Sequence, residues 1–226
     1  MKLQGRIGVL GGTFDPIHYG HLDAADAARR ACGLDTVLLV PARTPPHRSR
    51  APRASAYHRF AMAALASDGR DELAASDIEL AFDGPSFTSV TLARLTQGGI
   101  HPGQLFFIIG TDAFADIASW YDYPAVLDRG HFVAVSRPGC PLAALRERLT
   151  DLRERMREPA GGTPAVAQRP AIWLVEASTR TVSSSVLRRR LTDGESIDGL
   201  VPDAVARHIA KHALYARVSP ASSLHE

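Results

Sequence analysis

The chain has 226 residues, 45% of them hydrophobic, and its 26 basic and 24 acidic side chains leave a formal net charge of +2. That composition is ordinary for a globular chain with a real core, and the charge balance gives no global pull toward nucleic acid or membranes, so any preference for anions has to be local. Cys32 and Cys140 are too few for a disulfide framework, no apolar run nears the roughly 20 residues of a membrane helix, and the apolar stretch after Arg6 is too short for a signal peptide, so a reducing cytoplasm is the expected setting.

In chain order, Ile7–Leu10 reads as a short buried strand stopped by Gly11-Gly12. His21–Cys32 is alanine-rich and helical, with Gly33 placed to close it, and Thr36–Val40 is a second β-branched strand. Residues 41–53 hold four prolines and five basic side chains and must be a loop. Tyr57–Ser67 returns to helix, Asp77–Ala81 reads as a strand, and Asp83-Gly84-Pro85 as a turn. Ser86–Gln97 suits a helix ended by Gly98-Gly99, and Leu105–Ile109 and Phe132–Val135 are strands. Leu142, Leu145, Leu149, Leu152 and Met156 recur at spacings of three and four, one stripe of a helix that docks on the sheet. The same spacing also suits a seam between two copies of the chain, so a homo-oligomer is left open. Residues 159–170 read as a mobile loop, Ile172–Val175 as a last strand, Ser184–Leu191 and Pro202–His212 as helices, and 219–226 as a frayed tail. No internal repeat is visible. Strand–helix alternation predicts one doubly wound α/β domain over 1–218, with its ligand at the carboxyl ends of parallel strands.

Two segments carry chemistry. In Gly11-Gly12-Thr13-Phe14-Asp15-Pro16-Ile17-His18-Tyr19-Gly20-His21-Leu22 a glycine turn links a strand to a helix, where backbone N–H groups and the helix dipole gather anions. His18 and His21, three apart, can face one phosphate there, and Gly20 leaves room for a nucleotide over the first turn. Near the other end, Val182-Ser183-Ser184-Ser185-Val186-Leu187-Arg188 sets three hydroxyls at the positive end of a helix, with an arginine one turn in. Read alone, each has an ordinary structural explanation: a pair of core histidines, and a serine-capped helix with an exposed Arg188–Arg190 run.

Together they resemble the two signatures of the HxGH nucleotidyltransferases, the second usually written ISSTxxR, with Val182 for Ile and Ser185 for Thr here. The first is similar in particular to that of the nicotinate and nicotinamide mononucleotide adenylyltransferases. Pro45-Pro46-His47-Arg48 resembles their PPHK element with Arg for Lys, Gly84-Pro85-Ser86-Phe87-Thr88 their GPSYT turn with Phe for Tyr, and Gly110-Thr111-Asp112 with Trp120 their GxD…W element. Arg59 and Met62 match a family helix and read as packing residues.

The resemblance implies a Rossmann-like nucleotidyltransferase fold with a small C-terminal helical extension, and transfer of AMP from ATP to nicotinate mononucleotide. It implies catalytic roles for His18, His21 and Arg188, and contacts from Gly11, Gly12, Thr13, Phe14, Gly20, Ser183, Ser184 and Ser185 to ATP and its phosphates. His47, Arg48, Phe87, Thr88, Asp112 and Trp120 would bind the mononucleotide, Asp112 near a ribose and Trp120 stacked on the pyridine. Trp120 as a half-buried core aromatic and Asp112 as a helix cap are the plain alternatives. Mg²⁺ is expected through the ATP phosphates, with no protein metal cage, and neither nucleic acid nor membrane is an expected partner. The rival readings are a phosphopantetheine or cytidylyl transferase with the same signatures, a non-catalytic nucleotide sensor on the same fold, and nucleic-acid binding through the Arg43–Arg53 loop.

Overall fold

The computed structural model describes residues 4–46, 51–137, 139, 141–159 and 169–217. His47, Arg48, Cys140, the tail at 219–226 and all but the ends of the loop expected at 159–170 lie outside the described residues.

Seven parallel strands form one sheet in the order β3-β2-β1-β4-β5-β7-β6. They are β1 (Ile7–Gly12), β2 (Thr36–Pro41), β3 (Leu73–Ala75), β4 (Leu105–Gly110), β5 (His131–Val135), β6 (Met156–Arg157) and β7 (Ile172–Val175). Because both faces are covered, the strands read as continuous apolar runs whose side chains alternate between two cores. Phe106 and Ile108 join the core that receives α1 (Tyr19–Cys32), α2 (Ala56–Ser67), α6 (Ser184–Asp193) and α7 (Asp203–Lys211). Leu105, Phe107 and Ile109 join the opposite one, with α3 (Thr88–Gln97), α4 (Thr111–Phe114) and α5 (Leu142–Arg148). Each fully buried aliphatic or aromatic side chain contributes roughly 1.5–3 kcal/mol. This is the expected doubly wound α/β sheet, with α6 and α7 as the C-terminal extension.

Gly33 ends α1 in the left-handed region at φ 60°, in the role its position predicts. Two elements differ from expectation. Residues 77–81 are a turn rather than a strand: Ala81 N–H donates to the Asp77 carbonyl and Ile78 N–H to Ser76 Oγ, and this local bonding replaces a ladder. The third strand lies just before it, paired with Val37–Leu39 of β2.

The Leu142–Met156 stripe is not one helix either. It breaks at Leu149 (φ −107°, ψ 59°), continues as a 3₁₀ segment over Thr150–Arg155, and ends in β6. Leu145, Leu152 and Met156 are buried against the sheet and Leu142 and Leu149 pack beside them, so the stripe serves the chain's own core. A 3₁₀ turn brings round every third residue, so the three–four spacing survives the change of helix type.

The strand order reverses between β1 and β4. In an open α/β sheet the loops leaving such a pair diverge to opposite faces and leave a crevice between them. The segments that follow β1, β2, β3, β4 and β7 carry the candidate residues beyond Gly11 and Gly12.

Candidate functional site

The loop after β1 is held from outside. Arg59, buried on α2, donates to the carbonyls of Thr13 (2.7 Å), Ala42 (2.6 Å) and Ala54 (3.2 Å), which clamps the ends of the loops after β1 and β2 together. Read as packing from the sequence, it is a hydrogen-bonding brace, and Met62 one turn on is core. The Asp15 carboxylate, 1% exposed, accepts the N–H groups of Arg53 (2.9 Å) and Ala54 (3.0 Å) and the Tyr215 hydroxyl (2.8 Å). Burial, with Asp15 alongside, pushes the Tyr215 phenol far above its ordinary range, so it stays a donor.

Within the loop, Phe14 takes a left-handed φ of 50°, uncommon for a residue with a side chain, and its ring buries edge-on to His21 at 5.0 Å. Gly12 is glycine because a Cβ there would meet that ring at 2.7 Å. At Gly20 a Cβ would meet the His18 ring and the Arg180 carbonyl at 3.2 Å, so the chain's own neighbours already disfavour a side chain before any nucleotide is present. Gly11 and Gly12 are the last residues of β1.

His18 is the N-cap of α1, which begins two residues earlier than the periodicity predicts, and His21 sits in its first turn. The two imidazoles stack with centroids 3.8 Å apart. His18 N–H donates to His21 Nδ1 at 3.3 Å, which assigns the proton of a neutral His21 to Nε2. His18 is buried, and among the described residues its Nδ1 has no hydrogen-bond partner. Burial first, then the Arg137 cation, lower its pKa to about 4 against a smaller opposing effect of Asp23, so it is neutral at pH 7.

The second signature meets the first. Ser183 caps α6 by accepting Val186 N–H (3.3 Å), its hydroxyl lies 3.0 Å from that of Ser185, and Ser184 Oγ donates to the Pro16 carbonyl (2.9 Å). Arg188 donates to the Asp15 carbonyl at 2.6 Å and lies 3.7 Å from its carboxylate. One guanidinium nitrogen therefore holds the loop.

Two open cavities flank this junction. One, of about 220 Å³, is lined by His18, Gly20, Arg137, Val182, Ser183 and Val186. The other, of about 420 Å³, is lined by Arg53, Ser185, Arg188 and Arg189 beside Asp15 and Asp193. The sequence reading missed Arg137, Arg53 and Asp15. Asp15 lies inside the quoted signature, but its role depends on partners 38 to 200 residues away.

Across the β1/β4 crevice, Thr44 and Ser86 exchange hydrogen bonds (Ser86 N–H to the Thr44 carbonyl at 3.0 Å, Thr44 N–H to Ser86 Oγ at 3.2 Å), joining the Gly84–Thr88 turn to the loop that leads into Pro45. Phe87 caps α3 and stacks on Tyr121 at 4.5 Å, while Thr88 is the first helical residue, where N–H groups have no acceptor within the helix. Trp120 is half-buried, edge-on to Phe107 of β4 at 6.1 Å. Asp112 is half-exposed and pairs with Arg137 at 3.8 Å over the end of β4.

Residues 9–190 match the sequence model of the cytidylyltransferase-like family. The chain is 36% identical over 219 residues to a protein of Desulfatibacillum aliphaticivorans curated as a nicotinate-nucleotide adenylyltransferase, covering 93% of this chain and 99% of that one. A relative from Roseiflexus sp. with the same description is 40% identical over 211 residues, covering 92% and 97%. Among solved structures, Plasmodium falciparum nicotinic acid mononucleotide adenylyltransferase complexed with NaAD aligns with a TM-score of 0.69 at 20% identity, over 94% of this chain and 98% of that one. At that identity the likeness speaks for the fold. Among the described residues no helix is long and apolar enough to cross a membrane.

Proposed function

The chain belongs to the cytidylyltransferase-like family, with nicotinate-nucleotide adenylyltransferases as its curated relatives, and from that membership we propose that it transfers the adenylyl group of ATP to nicotinate mononucleotide. The products are nicotinate adenine dinucleotide and pyrophosphate, a step of NAD biosynthesis. The observation that carries the reading is the meeting of the two signatures, 173 residues apart, where Arg188 grips the Asp15 carbonyl beside the sheet's switch point.

The mononucleotide phosphate is the nucleophile and is largely dianionic near neutral pH, so the reaction needs no general base. One of its oxygens forms a bond to the α-phosphorus of ATP as the bond from that phosphorus to the bridging oxygen breaks, and the electron pair leaves on pyrophosphate. Catalysis is then positioning and charge stabilisation. His21 donates from Nε2 to the phosphates as charge builds, with neutral His18 stacked beneath it. The apolar Val182 and Val186 fit the His18 cavity to the nucleoside half of ATP, and Arg53, Arg188 and Arg189 fit the other cavity to its phosphate tail. Phe87, Thr88, Asp112 and Trp120 receive the mononucleotide, with Trp120 as a stacking face for the cationic pyridine. His47 and Arg48 are assigned to the same half on the strength of the resemblance.

Mg²⁺ enters as part of the ATP substrate. Of the nearby carboxylates, Asp15 is engaged by N–H groups, Asp23 by Arg180 and Asp112 by Arg137. A cytoplasmic setting rests on the cysteine usage.

The test is pyrophosphate release from ATP with nicotinate mononucleotide, nicotinamide mononucleotide and phosphopantetheine offered separately. Release is expected with the first above all. Silence with all three would overturn the proposed reaction.

A further inference from the structure

Away from the crevice, α2 and α7 bring three histidines together. We infer that His58, His208 and His212 form a binding site for a divalent transition cation of the zinc class, which staples the C-terminal extension to the sheet domain.

His58 lies in the first turn of α2, where Ser55 Oγ accepts its N–H at 3.3 Å. His208 and His212 are four apart, the last being the residue that closes α7, so both rings leave the same side of that helix. One ring nitrogen of each residue lies within 4.8 Å of the other two. His58 Nδ1 and His208 Nε2 are 3.1 Å apart. Two imidazole nitrogens on one tetrahedral zinc, at about 2.05 Å each, sit roughly 3.3 Å from one another, so this pair already has the separation a shared ion requires. The ring centroids are 4.5 to 5.3 Å apart, and a small rotation of His212, the exposed member, completes the set.

An all-imidazole donor set selects zinc, copper, nickel or cobalt over magnesium or calcium, which take oxygen ligands. Metal ligation needs neutral imidazoles. Burial, then His212, His58 and Lys211, hold His208 below its ordinary range. The exposed side of His212 leaves solvent for a fourth ligand.

The consequence reaches the phosphate loop by two short routes. Arg59, next to His58, braces the Thr13 and Ala42 carbonyls, and Tyr215, three residues past His212, donates to Asp15. An ion between α2 and α7 fixes the two elements from which both braces extend. The sequence reading expected no metal held by the protein. The spacing of His208 and His212 is local, but the third ligand lies 150 residues away.

The test uses the full-length chain without an affinity tag, stripped with a chelator. One equivalent of Co²⁺ is expected to give the intense visible bands of tetrahedral coordination, displaced by Zn²⁺. Saturating Zn²⁺ is expected to raise Tm by about 5 °C or more. His208→Gln and His58→Gln should abolish both effects, while His101→Gln, whose histidine caps a separate 3₁₀ turn, should keep them. Should His208→Gln fail to fold, His212→Asn at the exposed position should weaken Co²⁺ at least tenfold. Absent Co²⁺ bands together with an unmoved Tm, or effects that survive His58→Gln and His208→Gln, would overturn the site.

Discussion

At His21 the nitrogen facing the backbone is an acceptor and the other carries the proton, so the ring is set as a donor before any nucleotide arrives. Replacing it with alanine removes a donor without breaking the clamp on the loop, which depends on Arg59 and Asp15. His21→Ala is expected to fold normally and to turn over at least ~100-fold more slowly, as for other lost transition-state donors. Circular dichroism with initial rates checks this, and near-normal turnover would remove His21 from the mechanism. Arg188 differs because it both grips the loop and faces the arginine-lined cavity. A charge-assisted contact of this kind is worth roughly 1.5–3 kcal/mol, so Arg188→Ala should lower kcat/KM for ATP by about one to two decades. KM for the mononucleotide should stay close to normal. Steady-state kinetics showing the reverse pattern would place Arg188 on the other substrate.

Among the elements, β5 opens on a buried histidine that is structural. His131 Nδ1 accepts both Ala171 N–H (2.9 Å) and the Trp173 indole N–H (3.3 Å), tying the end of the segment before β7 to β5. His131→Ala strands two buried donors and opens a cavity, and should cost about 2–4 kcal/mol in denaturant titration. Burial lowers its pKa from 6.5 to about 4, the same displacement as at His18. Both folded values lie below the unfolded one, so between those limits the unfolded chain binds more protons. Stability is therefore full above about pH 6.5, falls on acidification by up to about 1.4 kcal/mol per pH unit for each histidine, and levels off near pH 4. Urea midpoints from pH 4 to 7 should show that slope, reduced in His18→Asn. Strands β1, β2, β4, β5 and β7 were legible because burial on both faces gives each a dense apolar run. β3 was misplaced because three residues of pairing leave little pattern, and the alternation in 77–81 belongs to a turn. The stripe at 142–156 was read for burial correctly and for conformation wrongly, since periodicity near three and a half does not separate one α-helix from an α-helix followed by a 3₁₀ turn.

For the molecule as a whole, the two halves of the site were legible to different depths. The nucleotide signatures are contiguous in sequence, and each announces itself by residue type. The braces behind them, Arg59, Asp15 and Tyr215, work through contacts between remote segments and carry no local signal. On the mononucleotide side, the stitching of Thr44 to Ser86 and of Phe87 to Tyr121 makes one wall from three separate segments. If the N–H groups around Thr88 face the substrate's carboxylate, the amide analogue presents an NH₂ to donors, a mismatch of about 1–3 kcal/mol. Nicotinate mononucleotide should then be preferred by roughly one to two decades in kcat/KM. Trp120→Ala should weaken both substrates and leave most of that ratio, because both rings stack alike, whereas changes at Phe87 or Thr88 should erode the ratio first. Equal specificity constants would remove the acid preference and leave adenylyl transfer standing. The Tyr215–Asp15 hydrogen bond spans 200 residues of chain. During synthesis the sheet's first strands and the signature turn emerge early, yet the carboxylate that sets that turn lacks one donor until α7 and the residues after it have emerged and docked. A ribosome-bound chain halted before residue 215 therefore carries both signatures without the finished loop, and on the proposed function competence for ATP arrives as a late event, coupled to completion of the fold.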